Sequence, residues 1–156
     1  MSKKSFYPLL AIILIFTLVT YRINNYYLYS QDKVEINKQN SHVKKQKSDS
    51  GKKLYEDNCM SCHQSDGSGV PGMYPPLQKS DWVNGDKNRL IKIMLNGLQG
   101  EIEVNGESYI QSMPSHKYLT DSQISEVLSF IRNNFGNNAS DVKKDEVTVI
   151  RQKKSK

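Results

Sequence analysis

Cys59-Met60-Ser61-Cys62-His63 is the stretch on which the reading of this chain turns. It spells C-x-x-C-H, the spacing that attaches haem covalently. Each thiol forms a thioether to a vinyl group of the macrocycle, and the adjacent imidazole lies under the iron. The chain has two cysteines in all, so nothing remains for a disulfide framework or a second cluster. A thioredoxin-like redox pair also uses C-x-x-C but belongs in a βαβ setting, and the flanking segments carry no strand–helix–strand pattern. A zinc site needs about four ligands. Cys59, Cys62 and His63 would have to recruit His42 or His116 from a distance, at no standard spacing.

The length is consistent with such a group. Of the 156 residues, 1–50 and 141–156 read as poor core formers, which leaves about 90 for one small domain. A domain of that size has a limited interior, and a buried, largely apolar macrocycle would enlarge it. The formal charge of +6 is carried by the flanks. Residues 51–140 hold eight Lys/Arg against ten Asp/Glu, a net −2, whereas 1–50 and 141–156 hold +5 and +3. Nucleic-acid binding needs a basic patch on the folded module, so it is excluded as a function. The basic flanks suit a solvated tether or contact with anionic lipid.

The first residues are Met-Ser-Lys-Lys, followed by an apolar run from Phe6 to Tyr21 broken by Pro8, Thr17 and Thr20. As a helix this run spans about 24 Å, short of a hydrocarbon core of about 30 Å. Tyr21, Tyr26, Tyr27 and Tyr29 resemble an interfacial aromatic belt. No A-x-A-like cleavage site or lipobox cysteine follows. The expectation is therefore an uncleaved signal-anchor or transmembrane helix over 1–29. A flexible polar linker is expected over 30–50, a folded domain over 51–140 and a basic tail over 141–156.

Within the domain, Gly51 to Cys62 reads as a short helix with Leu54, Tyr55 and Cys59 on one side. Residues 65–69 form a turn-rich loop, and Val70 to Leu77 is Pro-rich and extended. A second helix runs from Asp86 to Gly97, capped by Asp86, with Leu90, Ile91, Met94 and Leu95 as its apolar face. Ile102 to Tyr109 alternates around Asn105-Gly106, a strong hairpin signal. Thr120-Asp121-Ser122-Gln123 is a capping box. It opens a helix that carries Ile124, Val127, Leu128, Ile131 and Phe135 on one face and closes at Gly136. The fold class is all-α, with a short hairpin inserted.

What faces His63 across the iron decides the chemistry. A methionine there gives a saturated, low-spin iron suited to electron transfer, whereas an empty position admits small ligands. Met113 is the best candidate. It lies in a loop before the last helix, and Pro114 holds it out of helical conformation. A gap-filling core methionine is the competing role. Met60 lies between the cysteines, Met94 belongs to an apolar helix stripe, and Met73 is only ten residues from His63. His116, three residues after Met113, reads as an exposed histidine and a minor alternative ligand. His42 falls in the linker.

With these residues in hand the chain resembles the class I monohaem cytochromes c, and most of all their membrane-anchored domains. The resemblance spans about Gly51 to Arg151. It is carried by Cys59–His63 together with Gly-Ser-Gly-Val-Pro-Gly-Met-Tyr-Pro-Pro-Leu (67–77), Ser-Asp-Trp-Val-Asn-Gly-Asp (80–86), Leu-Asn-Gly-Leu-Gln-Gly (95–100), Met-Pro (113–114) and Leu-Thr-Asp-Ser-Gln-Ile (119–124). It implies a small helical domain around one covalent haem c, with Cys59 and Cys62 as thioether residues. It further implies His63 and Met113 as axial ligands and the Pro75 carbonyl as acceptor for the His63 imidazole. Gly51 and Tyr55 would lie where the first helix crosses the last near Ile131, and Trp82 would lie by a propionate or in the core. Loop 97–112, with Glu101, Glu103 and Glu107, is longer than a minimal domain needs. It reads as a solvated hairpin or a docking surface.

The function implied is that of a membrane-tethered, non-enzymatic carrier of single electrons. It would serve an oxidase, reductase or dehydrogenase from the periplasmic side of the inner membrane. One alternative is a permanent cytochrome subunit of an oxidase, nitrite reductase or quinoprotein dehydrogenase. Another is a haem sensor or small peroxidase, which needs an open sixth position.

Overall fold

Thr120 ends an irregular loop and starts the helix around which the domain is built. Its hydroxyl accepts from the Gln123 N–H at 3.2 Å, and the Gln123 side chain accepts from the Thr120 N–H at 2.9 Å. Two donors at the helix start are thereby satisfied reciprocally. The structure, a computed structural model, describes residues 7–153. In chain order the elements are α1 (Tyr7–Asn58), α2 (Met60–His63), α3 (Asp81–Asn84), α4 (Lys87–Asn96), β1 (Ile102–Val104), β2 (Glu107–Tyr109), α5 (Asp121–Asn133) and α6 (Lys144–Lys153). The strands pair antiparallel, Ile102 opposite Tyr109 and Val104 opposite Glu107, with Asn105 at φ 52° and Gly106 at φ 82° in the turn. The fold is the mostly helical one expected, with its small hairpin.

The chain divides into two units, Met1–Lys44 and Lys45–Lys156. In the first, α1 exposes nearly every side chain described, including Leu10, Ile12, Ile13, Leu14, Ile15 and Phe16. The transmembrane helix read from this run is not found. Among the described residues no helix is long and apolar enough to cross a membrane. The uninterrupted apolar part, Leu9 to Phe16, ends at Thr17, with Thr20 and Arg22 beyond it, and eight helical residues cover only about 12 Å. Phe6 and the residues before it lie outside the described residues. The flexible linker also differs, because residues 30–50 are helical within α1. No Gly or Pro interrupts 9–50, and Lys, Gln and Glu are good helix formers even where no apolar stripe marks them.

In the second unit the core lies between the end of α1, α4, α5 and α6. Ile124, Val127, Leu128 and Ile131 of α5 are buried against Tyr55, Ile91, Met94 and Leu95. The end of α1 meets α5 at Gly51, where a Cβ would sit 2.5 Å from the Glu126 carbonyl oxygen and 2.8 Å from the Phe130 Cβ. Only glycine allows that approach. It falls about one turn before Ile131, the expected crossing point. Tyr55 packs its ring on Phe130 and Phe135 at 5.8 and 4.9 Å between centroids. Its hydroxyl donates to the Gln64 carbonyl at 2.6 Å.

The C-terminal segment is not a tail. Val142 and Val147 are fully buried, and Ser125 and Ser129 of α5 donate to the Val142 carbonyl at 2.8 and 3.1 Å. The charges of 141–156 hid a short apolar stripe whose burial surface is supplied by α4 and α5. Ion pairs at both ends fasten α6, Glu146 to Lys87 and Asp121 to Arg151, each at 2.6 Å. The Thr148 hydroxyl and the Arg151 guanidinium hold Asp121 below its usual pKa against the opposing effect of burial. Burial raises that of Glu146, but the Lys143 N–H and the Lys87 ammonium outweigh it. A carboxylate with a depressed folded pKa contributes stability above its unfolded value, near 4, and loses it as pH falls through the lower folded value. The domain should therefore lose thermal stability steadily below about pH 4. Asp121→Asn should flatten that decline in melts recorded between about pH 5 and pH 2.

Candidate functional site

The C-x-x-C-H stretch takes up one tight turn after α1. The Cys59 N–H still bonds to the Tyr55 carbonyl at 2.8 Å, and the His63 N–H returns to the Cys59 carbonyl at 2.9 Å. A helical turn sets Cys62 and His63 three and four residues beyond Cys59, on one face. Both thiols are free; Cys59 is buried and Cys62 half-buried. Burial, assisted by Cys62, pushes the Cys59 thiol up to about 12. Among the described residues no group of three or more His, Cys, Asp or Glu is placed to hold a metal ion.

His63 is buried, and its Nδ1 donates to the Pro75 carbonyl at 2.9 Å. That bond places the proton on Nδ1 and leaves the Nε2 lone pair for a metal. Burial lowers the His63 pKa, the Pro75 carbonyl partly opposes this, and His116 adds to the lowering. That lowering favours the neutral imidazole, the form that ligates. The Pro75 carbonyl is presented by a folded loop in which the Gly69 N–H bonds to the His63 carbonyl at 3.0 Å. Gly69 has φ +66°, and a Cβ there would strike the carbonyl oxygens of Tyr74 and Pro75.

His63 and Cys59 line one pocket with Leu90 and Met94 of α4, Trp82 and Val83 of α3, Val104 of the hairpin, Ile131 of α5, and Met113. Its lining is almost wholly apolar. Met113 is half-buried, and its N–H and C=O both pair with Leu98 at 2.9 Å. Gly97, at φ +73°, permits this, since a Cβ there would lie 2.5 Å from the Met113 carbonyl oxygen. Met60 and Met73 are exposed. Of the five positions named in the sequence, Cys59, His63, Pro75 and Met113 meet around this pocket, while Cys62 lies on the adjoining turn.

Several contributors carried no sequence signal. The Arg89 guanidinium lies 4.1 Å over the Trp82 ring, and its buried Nε has no hydrogen-bond partner. A buried donor left unpaired is costly, and beside an apolar pocket it suits the carboxylate of a bound group. An apolar chamber with one imidazole, the Cys59 thiol and a thioether, with Cys62 on the adjoining turn and the Arg89 guanidinium behind Trp82, fits a haem. Asp81 and Asn105 exchange backbone-to-side-chain bonds of 3.0 and 3.1 Å, pinning the hairpin tip to α3 beside the pocket. Arg132 is buried and donates to the carbonyls of Val83, Gly85 and Ser140 at 2.5, 3.1 and 2.7 Å. His116 corrects the sequence reading, for it is buried at 7 % exposure and its Nδ1 is unpartnered. Its loop folds it inward through an N–H bond to the Met94 carbonyl at 2.8 Å.

A helical turn bearing C-x-x-C-H against an apolar pocket with a methionine-bearing loop defines a protein that holds one haem covalently. The chain belongs to the cytochrome c family, whose model matches residues 48–135. It is 39% identical over 114 residues to cytochrome c-552 of Thermus thermophilus, across 67% of this chain and 86% of that one. It is 35% identical over 92 residues to the cytochrome c subunit of a quinone alcohol dehydrogenase from Gluconobacter oxydans, across 57% of this chain and 19% of the subunit. It is 33% identical over 110 residues to a fructose dehydrogenase cytochrome subunit from Gluconobacter japonicus, across 67% and 22%. The protein is thus a class I monohaem cytochrome c. It carries covalent haem c and is an electron carrier, not an enzyme.

Proposed function

We propose that this chain relays single electrons to or from a respiratory or periplasmic redox enzyme, tethered by its N-terminal segment at the periplasmic face of the inner membrane. The observation that carries the reading is the shared apolar pocket of His63 and Met113, with the imidazole fixed by Pro75. Bound haem supplies Fe(III)/Fe(II) cycling. Cys59 and Cys62 would hold it by thioethers. His63 Nε2 and the thioether of Met113 on its loop would ligate its iron. Met94 also lines the pocket, but it is 97% buried within α4 and packs in the core. Arg89, stacked on Trp82, would neutralise a propionate. The apolar lining excludes water, so little solvent reorganises when the charge on the iron changes. The tether rests on the exposed apolar side chains from Leu10 to Val19, followed by the tyrosines at 21, 26, 27 and 29. These suit an interface with lipid.

The test is the optical spectrum of the haem-loaded full chain, oxidised and reduced, with and without CO, followed by mixing the reduced form with native membranes. A low-spin spectrum indifferent to CO and rapid reoxidation by the membranes are expected. Immediate CO binding would overturn the assignment. A second reading, a permanent dehydrogenase subunit, is favoured by the relatives named as such. Co-purification with a dehydrogenase through mild detergent would select it.

A further inference from the structure

Met113 lies in a segment, 110–120, whose one regular contact is its bridge to Leu98. The first half of that segment is tied to α4. Besides the Leu98 pair, the Ser115 hydroxyl donates to the Leu95 carbonyl and the His116 N–H to the Met94 carbonyl, both at 2.8 Å. The second half is tied elsewhere. Arg151 on α6 donates from Nη1 to the Lys117 carbonyl at 2.9 Å, from Nη2 to the Leu119 carbonyl at 2.8 Å, and from Nε to Asp121 at 2.6 Å. All three guanidinium nitrogens of one side chain are spent on the stretch just after Met113. A planar fork is suited to that arrangement and an ammonium is not. α6 has other anchors besides Arg151, namely buried Val147 and the Glu146–Lys87 pair, so Arg151 is not all that docks it.

We propose that Arg151 is a positioning residue for the iron's sixth ligand, with α6 acting as a strap that keeps the Met113 loop closed on the pocket. The proposal rests on the reading of Met113 as that ligand. A thioether is a soft, neutral donor, and ferric iron holds it weakly. How often Met113 lets go in the oxidised protein is then set by how firmly the loop is held. Each Arg151 bond is charge-assisted, and removing all three loosens the loop's second half, which keeps the Tyr118–Asn58 bond and buried Leu119, while its first half stays on α4.

The experiment uses the oxidised, haem-loaded full chain, titrated with imidazole at neutral pH. The Met–Fe(III) charge-transfer band is followed, and thermal unfolding is recorded in parallel. Imidazole binds only the form from which Met113 is released, so its apparent affinity tracks the population of that form. Arg151→Ala should bind it about tenfold more tightly than the parent. Arg151→Lys should fall between the two. Lys87→Ala, which breaks the other α6 ion pair, should lower the unfolding temperature yet leave imidazole affinity within about twofold. Parental affinity in Arg151→Ala would overturn the proposal, and so would an equal shift in Lys87→Ala. Met113→Ala separates the two levels of argument. If it binds imidazole no better than the parent even when combined with His116→Ala, the ligand assignment itself falls. If it binds far more tightly while Arg151→Ala does not, only the role of Arg151 falls.

Discussion

Replacing both Cys59 and Cys62 with alanine should yield a chain that carries no haem through denaturation and whose domain is severely destabilised. The pocket takes its lining from the C-x-x-C-H turn, the Pro75 loop, α3, α4, β1, the Met113 loop and α5, so the core around it is complete only when it is filled. Leu90, Met94, Val104, Leu128 and Ile131 are each less than 10% exposed and all face that chamber. Removing large groups from a core costs about 2–5 kcal/mol per residue, and the macrocycle touches far more surface than one residue does. A covalent group also cannot dissociate, so its stabilisation does not depend on ligand concentration as reversible binding does. The loss should exceed about 5 kcal/mol, comparable to the whole stability of a small domain. Cys62→Ala alone should be milder, because the buried Cys59 still anchors one edge. The checks are haem staining after denaturing electrophoresis and circular dichroism melts. A double variant that melts like the parent would show that the apolar core stands without the cofactor.

Local chemistry explains which parts of this fold were readable. Thr120 and Gln123 cap α5 with their own side chains, Asp86 caps α4 through an Asn88 N–H bond of 2.9 Å, and Asn105-Gly106 turns the hairpin. Each signal lies within a few residues of the structure it creates. The haem attachment turn is equally local, and Pro114 marks Met113 as a loop residue. α6 was missed because its inward apolar residues, Val147 and Ile150, stand among Lys143, Lys144, Arg151 and Lys153, and the surface that buries them comes from α4 and α5. Arg132 looked like an ordinary cation at a helix end; its carbonyl partners at 83, 85 and 140 come together only in three dimensions. His116 was misread for the same reason. The N-terminal run illustrates a different limit: hydropathy marked an apolar stretch, yet the apolar part of α1 is too short to span a bilayer. The Pro75 carbonyl has no signature of its own, since any residue supplies a carbonyl, and it came only through family resemblance.

Met113→Ala should convert a closed haem site into an open one. Removing the thioether leaves a vacancy on the ferrous iron, so CO should bind at once where the parent ignores it. The charge-transfer band should vanish, and the reduction potential should shift on the order of 100 mV, axial-ligand identity being the strongest lever on it. Folding should suffer less, because Met113 is half-buried and its backbone bonds to Leu98 persist. Met94→Ala is the informative contrast. Met94 is 97% buried within α4, so its loss should cost about 2–5 kcal/mol of stability while CO stays excluded. If the two variants exchange phenotypes, the ligand is Met94 and the loop serves only as a cover. His116 provides the remaining control, for it is buried, its Nδ1 has no hydrogen-bond partner, and it stands three residues from Met113. A Met113→Ala protein that stays low-spin and excludes CO until His116→Ala is added would mean that the inward-folded imidazole takes the vacant position. The electron-carrier reading would then survive through bis-histidine ligation at a lower potential. A parent protein that already binds CO would instead return the sensor or peroxidase reading to the front, because a saturated iron is what separates a carrier from either of them.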